Sequence, residues 1–277
     1  MKIVRIIILL VFTLPALAFK ADSFTAETPA DYKPAKKINK MKVEIWSDVM
    51  CPFCYIGKRK FEQALEIFPH KNNVEIVWKS YQLAPNMKTD TTKSINQYLA
   101  ESKGWTLDYA RQMNEYVTKM AAEVGLKYNM DKAIPANSFD AHRLSHLAAK
   151  HGFQDKMEEA LFKAYFTEGK NTADKSTLLT LAKEIGLSAE EAKKVLDSNQ
   201  FADAVKADIK EAQEIGVNGV PFFVFNRKYA VSGAQPAEAF LKTIEKAYEE
   251  WRKAGNSLQP ETGNAEGAVC SPEGDCK

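Results

Sequence analysis

The chain has 277 residues, with 38 lysines and arginines against 36 aspartates and glutamates, and 45% of its residues are hydrophobic. This composition is typical of a globular protein and excludes a disordered or collagen-like chain. A net charge of +2 gives no reason to expect binding to nucleic acid, and four cysteines are too few for a disulfide-stabilised scaffold.

The N-terminus has the pattern of a secretory leader. Lys2 and Arg5 precede an apolar run over residues 6–14, and Ala16-Leu17-Ala18 follows as a cleavage site of small residues. This order predicts a signal peptide over residues 1–18. A membrane anchor is the alternative, but a spanning helix needs about 20 apolar residues. We therefore expect a periplasmic or secreted protein without a membrane anchor after cleavage, in a compartment where disulfides persist.

The first structured elements are predicted beyond this leader. Residues 19–40 lack apolar periodicity and are predicted to form a flexible linker. From Lys42 to Trp46 apolar and polar residues alternate, which is typical of a strand. A helix is predicted from about Cys51 to Phe68, because its apolar residues recur at helical spacing. A second strand is predicted from Val74 to Leu83.

The next part of the chain is predicted to be helical before strands return. Between residues 94 and 216, apolar stripes recur at helical spacing, and no strand pattern is convincing. The segments Phe222–Phe225 and Tyr229–Val231 predict two strands joined by a turn at Asn226-Arg227. A last helix is predicted between Pro236 and Gly255.

The order of elements is therefore β-α-β, a helical block, then β-β-α. Two sheet-forming halves that flank one helical block favour a single α/β unit over two domains in series. We predict one domain over residues 41–255, with an all-helical insertion at about 94–216. Residues 256–277 are rich in glycine, proline, serine and glutamate, and they are predicted to be a flexible tail.

The chemistry is predicted to lie in Cys51-Pro52-Phe53-Cys54, which follows a strand and opens a helix. The thiolate is the nucleophilic form of cysteine, and a helix N-terminus favours an anion through its free N–H groups and its dipole. Cys51 lies nearest that end and is predicted to be the exposed nucleophile. Cys54 lies one turn further in and is predicted to resolve the mixed disulfide. Pro52 fits because the first helical turn does not need its missing N–H.

Two other uses of these cysteines agree less well with the sequence. A structural zinc site takes four ligands, usually from two such pairs, and the other cysteines lie more than 200 residues away. A purely structural disulfide is the second alternative, but a disulfide within the first turn of a helix rarely serves only to stabilise a fold. The spacing favours a redox-active disulfide between Cys51 and Cys54, with no metal and no bound cofactor.

Four segments in order along the chain resemble DsbA-like thioredoxin-fold oxidoreductases, specifically the FrnE-like branch. They are residues 45–59 around the cysteines, 78–85 (Trp-Lys-Ser-Tyr-Gln-Leu-Ala-Pro), 137–144 (Asn-Ser-Phe-Asp-Ala-His-Arg-Leu) and 216–225 (Gly-Val-Asn-Gly-Val-Pro-Phe-Phe-Val-Phe). The first and last segments are the specific ones, and the resemblance spans about residues 41–252. It implies a thioredoxin fold with a helical insertion, which matches the order of elements derived from periodicity.

The resemblance also implies roles for further residues. Pro221 is expected to be cis, with Gly219 and Val220 offering backbone groups to an extended substrate peptide. The alternative is a proline that only begins a strand. Phe53 is expected to contact substrate, and it stands where the strongest periplasmic oxidants of the family carry histidine. Because phenylalanine cannot stabilise a thiolate electrostatically, we expect a less oxidising couple.

Polar residues around the motif have competing interpretations. Asp48, three residues before Cys51, is a candidate for tuning the cysteines or relaying a proton, but we favour a cap at the start of the helix. His142 and His146 have the spacing of a metal-chelating pair, yet no third ligand is evident and their helix has an ordinary packing stripe. A place for His142 in a substrate groove is another alternative.

Cys270 and Cys276 lie in the tail with five residues between them. In an oxidising compartment they are expected to form a second disulfide. The simplest interpretation is a local disulfide that closes a small surface loop and is not needed for the redox cycle. The alternative is a second redox pair that exchanges with Cys51 and Cys54. A flexible chain of 15 residues from Gly255 to Cys270 spans about 20 Å, so distance does not exclude this exchange.

We therefore predict a thiol–disulfide oxidoreductase that acts on protein thiols, together with a redox partner protein or a small thiol. The chain is expected to be a monomer. Two alternatives remain open. One is a glutathione-dependent transferase or isomerase of the kappa-like class, which shares this architecture but carries serine in place of Cys51. The other is a holdase-type chaperone that binds unfolded chains.

Overall fold

The computed structural model of the protein describes residues 39–256. The predicted signal peptide (1–18), nearly all of the predicted linker (19–40) and the tail cysteines Cys270 and Cys276 lie outside the described residues. The interpretations of these segments therefore stay predictions. Over the described range, every helix is too short or too polar to span a bilayer.

Four strands form one sheet in the order β2-β1-β3-β4. The strands are β1 (Met41–Ser47), β2 (Val74–Ser80), β3 (Phe222–Phe225) and β4 (Tyr229–Ser232). β1 pairs in parallel with β2 and antiparallel with β3, so the two halves of the chain meet at β1. The second strand ends at Ser80 instead of Leu83, because Ser80 pairs with Ser47, the last residue of β1.

Helices account for most of the remaining described chain. Two belong to the sheet-forming halves, α1 (Pro52–Ile67) and α9 (Ala237–Trp251), and the others lie between β2 and β3. The latter are α2 (Ile95–Lys103), α3 (Leu107–Glu123), α4 (Phe139–Lys150), α5 (Gln154–Phe162), α6 (Lys175–Glu184), α7 (Ala189–Leu196) and α8 (Ala202–Glu214). The predicted fold class, a thioredoxin fold with an all-helical insertion between its β-α-β and β-β-α halves, is confirmed.

The turn between β3 and β4 follows directly from its sequence. Asn226 and Arg227 both adopt left-handed backbone angles, with φ of 49° and 55°. Such angles at both central residues match the right-handed twist of the strands in a two-residue hairpin, and asparagine tolerates them well. The predicted hairpin is therefore present, with β4 one residue longer than expected.

One face of the sheet is covered by α1 and α9. Phe61 of α1 packs against Phe223 and Phe225 of β3 and against Phe240 of α9, with ring centroids 5.5 Å, 6.1 Å and 5.8 Å apart. All four rings are buried. This aromatic cluster attaches α1 firmly to the sheet, and it thereby sets the position of the cysteines at the start of α1.

The opposite face of the sheet is covered by α8, and Asp208 of α8 bonds this helix to the sheet. The indole N–H of Trp46 donates to the Asp208 carbonyl at 3.0 Å, and the Asp208 carboxylate accepts the Ser80 N–H at 3.0 Å. His146 Nε2 lies 3.1 Å from the same carboxylate, which also pairs with Lys79. Burial raises the pKa of Asp208, but the bonds from His146, Lys79 and the Ser80 N–H outweigh it and lower the pKa.

Asp208→Asn is expected to destabilise the fold by about 2–4 kcal/mol, because a neutral amide replaces the buried carboxylate that pairs with Lys79 and accepts the Ser80 N–H. The loss is measured as a change in the free energy of unfolding in urea. The pKa of Asp208 in the folded protein lies below its unfolded value of about 3.9. The full loss of stability in the variant is therefore expected above about pH 3.9. It should disappear as the pH falls through the folded pKa.

Asp203→Asn is the matched control, since Asp203 is an exposed aspartate on the same helix. It should change the free energy of unfolding by less than about 0.5 kcal/mol. Equal losses for the two variants would contradict a special role for Asp208.

Candidate active site

The Cys51-Pro52-Phe53-Cys54 motif lies at the start of α1, directly after β1. Cys51 is the N-cap residue and Pro52 the first helical residue, as predicted. The Cys51 N–H bonds to the Asp48 carbonyl at 2.9 Å, and the Cys54 N–H bonds to the Cys51 carbonyl at 3.0 Å. No side chain caps this helix. Its N-terminal dipole therefore acts on the sulfur atoms without a competing carboxylate or hydroxyl cap.

Both cysteines are free thiols and both are buried, with Cys51 4% and Cys54 1% exposed. The prediction of an exposed Cys51 is therefore wrong. The segment before β3 folds over the start of α1, so Cys51 Sγ donates a hydrogen bond to the Val220 carbonyl at 3.4 Å. The deeper position of Cys54 agrees with the sequence-based expectation.

The Cys54 thiol lies in surroundings that disfavour its anion. Burial raises the pKa of Cys54 well above its usual value, and the neighbouring Cys51 raises it further. The Ser47 hydroxyl and the backbone N–H of Asp48 act in the opposite direction. Cys54 is thus a protonated thiol at rest, and any reaction through it requires a route for its proton.

The segment before β3 packs closely against α1. The Val220–Pro221 peptide bond is cis, as the resemblance implies. A Cβ atom added to Gly57 would lie 2.9 Å from Pro221 Cγ and 3.5 Å from Phe223 Cζ, so only glycine permits this approach. Gly219 and Val220 are half-buried beside the cysteines. Phe53 is 36% exposed, which leaves its ring accessible on the surface of the motif.

The helical insertion contributes to the site through Tyr128. Its hydroxyl donates to the carbonyl of Pro52 at 2.7 Å, and its ring stacks on Phe166 at 4.7 Å. Burial raises the pKa of Tyr128, and the adjacent Cys51 and Cys54 raise it further. This contact was not predicted, because no local pattern links a tyrosine before α4 to the first turn of α1.

Asp48 is fully buried and does not cap α1. Its carboxylate accepts the N–H of Met50 at 3.3 Å and the N–H of Leu83 at 2.7 Å. The favoured capping interpretation is therefore corrected: Asp48 satisfies backbone donors in the turn before the helix and in the segment after β2. Neither donor belongs to α1.

His142 and His146 do not converge on a common point. His142 lies 3.6 Å from Asp48, whereas His146, one turn further along α4, pairs with Asp208 of α8. His142 is buried, which excludes the alternative of a place in an open substrate groove. Within residues 39–256, no cluster of three or more histidine, cysteine or acidic side chains is arranged to hold a metal ion.

Both the sequence and the structure of this chain are similar to those of known proteins. The family model for the DSBA-like thioredoxin domain matches residues 42–245. A probable DsbA oxidoreductase from Streptomyces coelicolor is 36% identical and superposes with a TM-score of 0.71, covering 86% of this chain and 98% of that one. The Bacillus subtilis protein YwbO is 26% identical over 207 residues, which is 73% of this chain and 94% of YwbO.

A more distant likeness concerns one of the alternative functions. A 2-hydroxychromene-2-carboxylate isomerase superposes with a TM-score of 0.56, covering 79% of this chain and all of that one, at 17% identity. At this identity the likeness shows a common fold and nothing about the reaction.

Gly57→Ala tests the close packing at the site. Replacing a glycine inside a helix by alanine normally stabilises by about 0.5–1 kcal/mol. Here we expect a loss of about 1–2 kcal/mol, because the new methyl group must displace the Pro221 ring. Gln63→Ala, at an exposed position of the same helix, is the control and should stay within about 0.5 kcal/mol. A gain in the free energy of unfolding for Gly57→Ala would refute the close contact.

Proposed function

Because the chain belongs to the DSBA-like thioredoxin domain family, we propose that it exchanges disulfides with protein thiols through Cys51 and Cys54. Membership of this family makes it a thiol–disulfide oxidoreductase, with thiol-containing substrates and redox partners. The observation that carries the assignment of the residues is the geometry of α1. Two free thiols occupy its uncapped N-terminus, and the second lies deeper than the first.

The proposed reaction passes through a mixed disulfide. When the protein oxidises a substrate, a substrate thiolate attacks Cys51 Sγ, the Cys51–Cys54 bond breaks, and Cys54 leaves as a thiolate that takes up a proton. A second substrate thiolate then attacks the substrate sulfur, forms the substrate disulfide and releases Cys51. In the reducing direction, the Cys51 thiolate attacks a substrate disulfide, and Cys54 displaces the substrate from Cys51.

Substrate is proposed to lie along the segment before β3. The Val220 carbonyl already faces Cys51 Sγ, and Gly219 beside it has no side chain to obstruct a peptide. An extended chain can pair with backbone groups there as an added strand, while the exposed Phe53 ring offers an apolar contact. This arrangement would recognise the peptide backbone more than particular side chains, which suits exchange with diverse protein thiols.

The sequence supports a proposal for where the protein acts and what it needs there. The predicted signal peptide supports a periplasmic or secreted location, where substrate thiols become oxidised. A redox partner protein or a small thiol is proposed to return Cys51 and Cys54 to their starting state, and the protein is proposed to act as a monomer. No bound cofactor is required, since the electron pair moves between sulfur atoms.

The two cysteines are expected to respond differently to substitution. Cys51→Ser should abolish exchange, whereas Cys54→Ser should accumulate mixed disulfides that can be purified and identified from a native extract. Cys270→Ser with Cys276→Ser is the control and should retain exchange. Faster alkylation of Cys54 than of Cys51 in the reduced protein would contradict the assigned order.

The same set of variants separates the alternative functions. A holdase would still suppress aggregation of an unfolded protein after both Cys51 and Cys54 are replaced by serine. A glutathione-dependent transferase or isomerase would yield small-molecule adducts, and no trapped proteins, in the extract.

Phe53→His is expected to make the couple more oxidising. An imidazolium at the start of α1 stabilises the thiolate of the reduced form, and a gain of about 1.4 kcal/mol corresponds to about 30 mV. The potential is measured by equilibration with glutathione buffers, with Phe53→Leu as an uncharged control that should leave it unchanged. An unchanged or more negative potential for Phe53→His would disprove the electrostatic argument.

A further inference from the structure

The Tyr128 hydroxyl brings a hydrogen-bond donor from the helical insertion to the cysteine motif, and the exchange steps described above do not use it. Tyr128 lies between α3 and α4 and donates to the Pro52 carbonyl at 2.7 Å. This distance is typical of a well-formed O–H···O bond. Tyr128 is buried, so water competes little for either partner. The insertion therefore holds the first residue of α1 by a short and shielded bond.

Aromatic packing fixes the orientation of the Tyr128 ring. Phe166 stacks on it with ring centroids 4.7 Å apart and planes at 21°, and the Tyr55 ring lies 6.1 Å away at 19°. Such nearly parallel neighbours leave the ring little freedom to turn. The hydroxyl is thus held towards Pro52, and a phenylalanine at position 128 would keep the packing while losing the donor.

The Tyr128 hydroxyl keeps its proton while the thiols titrate. Cys51, Cys54 and Tyr55 face it from the start of α1, together with the Arg59 guanidinium. Burial raises the pKa of Tyr128, the two thiols raise it further, and Arg59 lowers it only in part. Four more charged side chains border the cavity that Tyr128 lines, two of each sign: Arg111, Glu115, Lys119 and Asp131. Tyr128 therefore remains a donor throughout.

The Cys51 sulfur needs different partners as a thiol and as a thiolate. The thiol donates to the Val220 carbonyl at 3.4 Å. A thiolate has no proton to donate, so this carbonyl no longer stabilises it, and the anion needs donors instead. The Cys54 thiol is one of them, because its hydrogen bond with Cys51 opposes the ionisation of Cys54. The backbone at the start of α1 offers another kind of donor.

Phe53 supplies the backbone donor that the first turn of α1 leaves free. Pro52 has no N–H, and the Cys54 N–H already bonds to the Cys51 carbonyl at 3.0 Å. As the second helical residue, Phe53 has an N–H without an intrahelical acceptor. An N-cap side chain faces the N–H groups of the second and third helical residues, and Cys51 is the N-cap residue. The Phe53 N–H is therefore placed to bond a Cys51 thiolate.

Tyr128 and the Cys51 sulfur meet opposite ends of the same peptide unit. The Pro52 carbonyl and the Phe53 N–H belong to one planar amide, so a bond that fixes the carbonyl also fixes the direction of the N–H. A donor on the carbonyl oxygen also polarises the amide and strengthens its N–H as a donor, by about 10–30% for each added bond. The Tyr128 hydroxyl can therefore act on the sulfur through this amide.

We propose that Tyr128 is a positioning residue that stabilises the Cys51 thiolate through the Pro52–Phe53 amide. This inference rests on the proposed function. In the oxidising direction, Cys51 leaves the substrate sulfur as a thiolate with the electron pair of the broken bond. In the reducing direction, the same thiolate is the attacking group. A bond that stabilises this anion favours the reduced form of the protein, so Tyr128 makes the couple more oxidising.

The test isolates Cys51 in the full-length protein. Cys54→Ala removes the second thiol together with its S–H donor, and Cys270→Ser with Cys276→Ser removes the tail thiols. The ultraviolet absorbance of the thiolate, followed against pH, then gives the pH midpoint at which Cys51 ionises. The same protein with Cys51→Ser supplies the background absorbance of the tyrosines.

Tyr128→Phe should move this midpoint upward by about 0.5–1 pH unit, because a hydrogen bond to a charged group is weakened. Tyr116→Phe removes an exposed hydroxyl from α3 and is the matched control, which should leave the midpoint unchanged. A structural role alone would lower the free energy of unfolding without moving the midpoint. Coinciding midpoints for Tyr128→Phe and the parent would overturn the proposal, while the proposed exchange through Cys51 and Cys54 would stand.

Replacement of Tyr128 by 3-fluorotyrosine tests the same bond in the opposite direction. Fluorine withdraws electrons from the ring, so the hydroxyl becomes a stronger donor in nearly the same volume. The midpoint of Cys51 ionisation should move downward. An unchanged or higher midpoint would contradict the proposal.

An NMR measurement without substitution at Tyr128 covers the case in which Tyr128→Phe does not fold. In the single-cysteine protein with nitrogen-labelled phenylalanine, the Phe53 amide proton should move downfield as Cys51 ionises, as expected for an N–H that bonds to an anion. The Phe61 amide, on the same helix, is the internal reference and should stay in place. A Phe53 amide proton that does not move would overturn the proposal.

Discussion

The packing of α1 against the segment before β3 is the contact on which the site depends. Gly57 lets the Pro221 ring approach the helix, and the same approach brings the Val220 carbonyl to Cys51 Sγ. These residues come from the two halves of the chain, which the whole helical insertion separates. The aromatic cluster around Phe61 supports the arrangement from behind, since it fixes α1 against β3.

The insertion is part of the site and not an appendage to it. Tyr128 binds the carbonyl of Pro52, and Tyr55, next to Cys54, stacks on Phe162 of α5 at 5.0 Å. α4 supplies His142 behind the same turn. The thioredoxin half provides the sulfur atoms and the helix dipole, whereas the insertion provides the buried groups that surround them. The insertion thus adds to the burial of the cysteines, which the segment before β3 already covers at Cys51.

Features with a local cause could be predicted from the sequence. The order of strands and helices follows from periodicity, and the hairpin at Asn226 and Arg227 follows from their tolerance of left-handed angles. The position of Pro52 follows from the needs of the first helical turn. The cis bond before Pro221 could be predicted only from the family resemblance, because most bonds before proline are trans.

Features created by tertiary contact could not be predicted in this way. Burial of Cys51 depends on a segment far along the chain, and the bond of Tyr128 to Pro52 depends on how α3 and α4 are placed. The spacing from Cys51 singles out Asp48, but its partners, Leu83 and His142, lie in other parts of the chain. Sequence spacing identifies such a residue without revealing what surrounds it.

The bond from Tyr128 to the Pro52 carbonyl joins the helical insertion directly to the first turn of α1. If the first turn of α1 differs between dithiol and disulfide forms, the two forms hold the insertion with different strength. Linkage is reciprocal. A protein that binds the insertion more tightly in one redox form therefore shifts the redox equilibrium by that difference in binding free energy. In that case, a partner need not touch either sulfur atom to change how readily they exchange electrons.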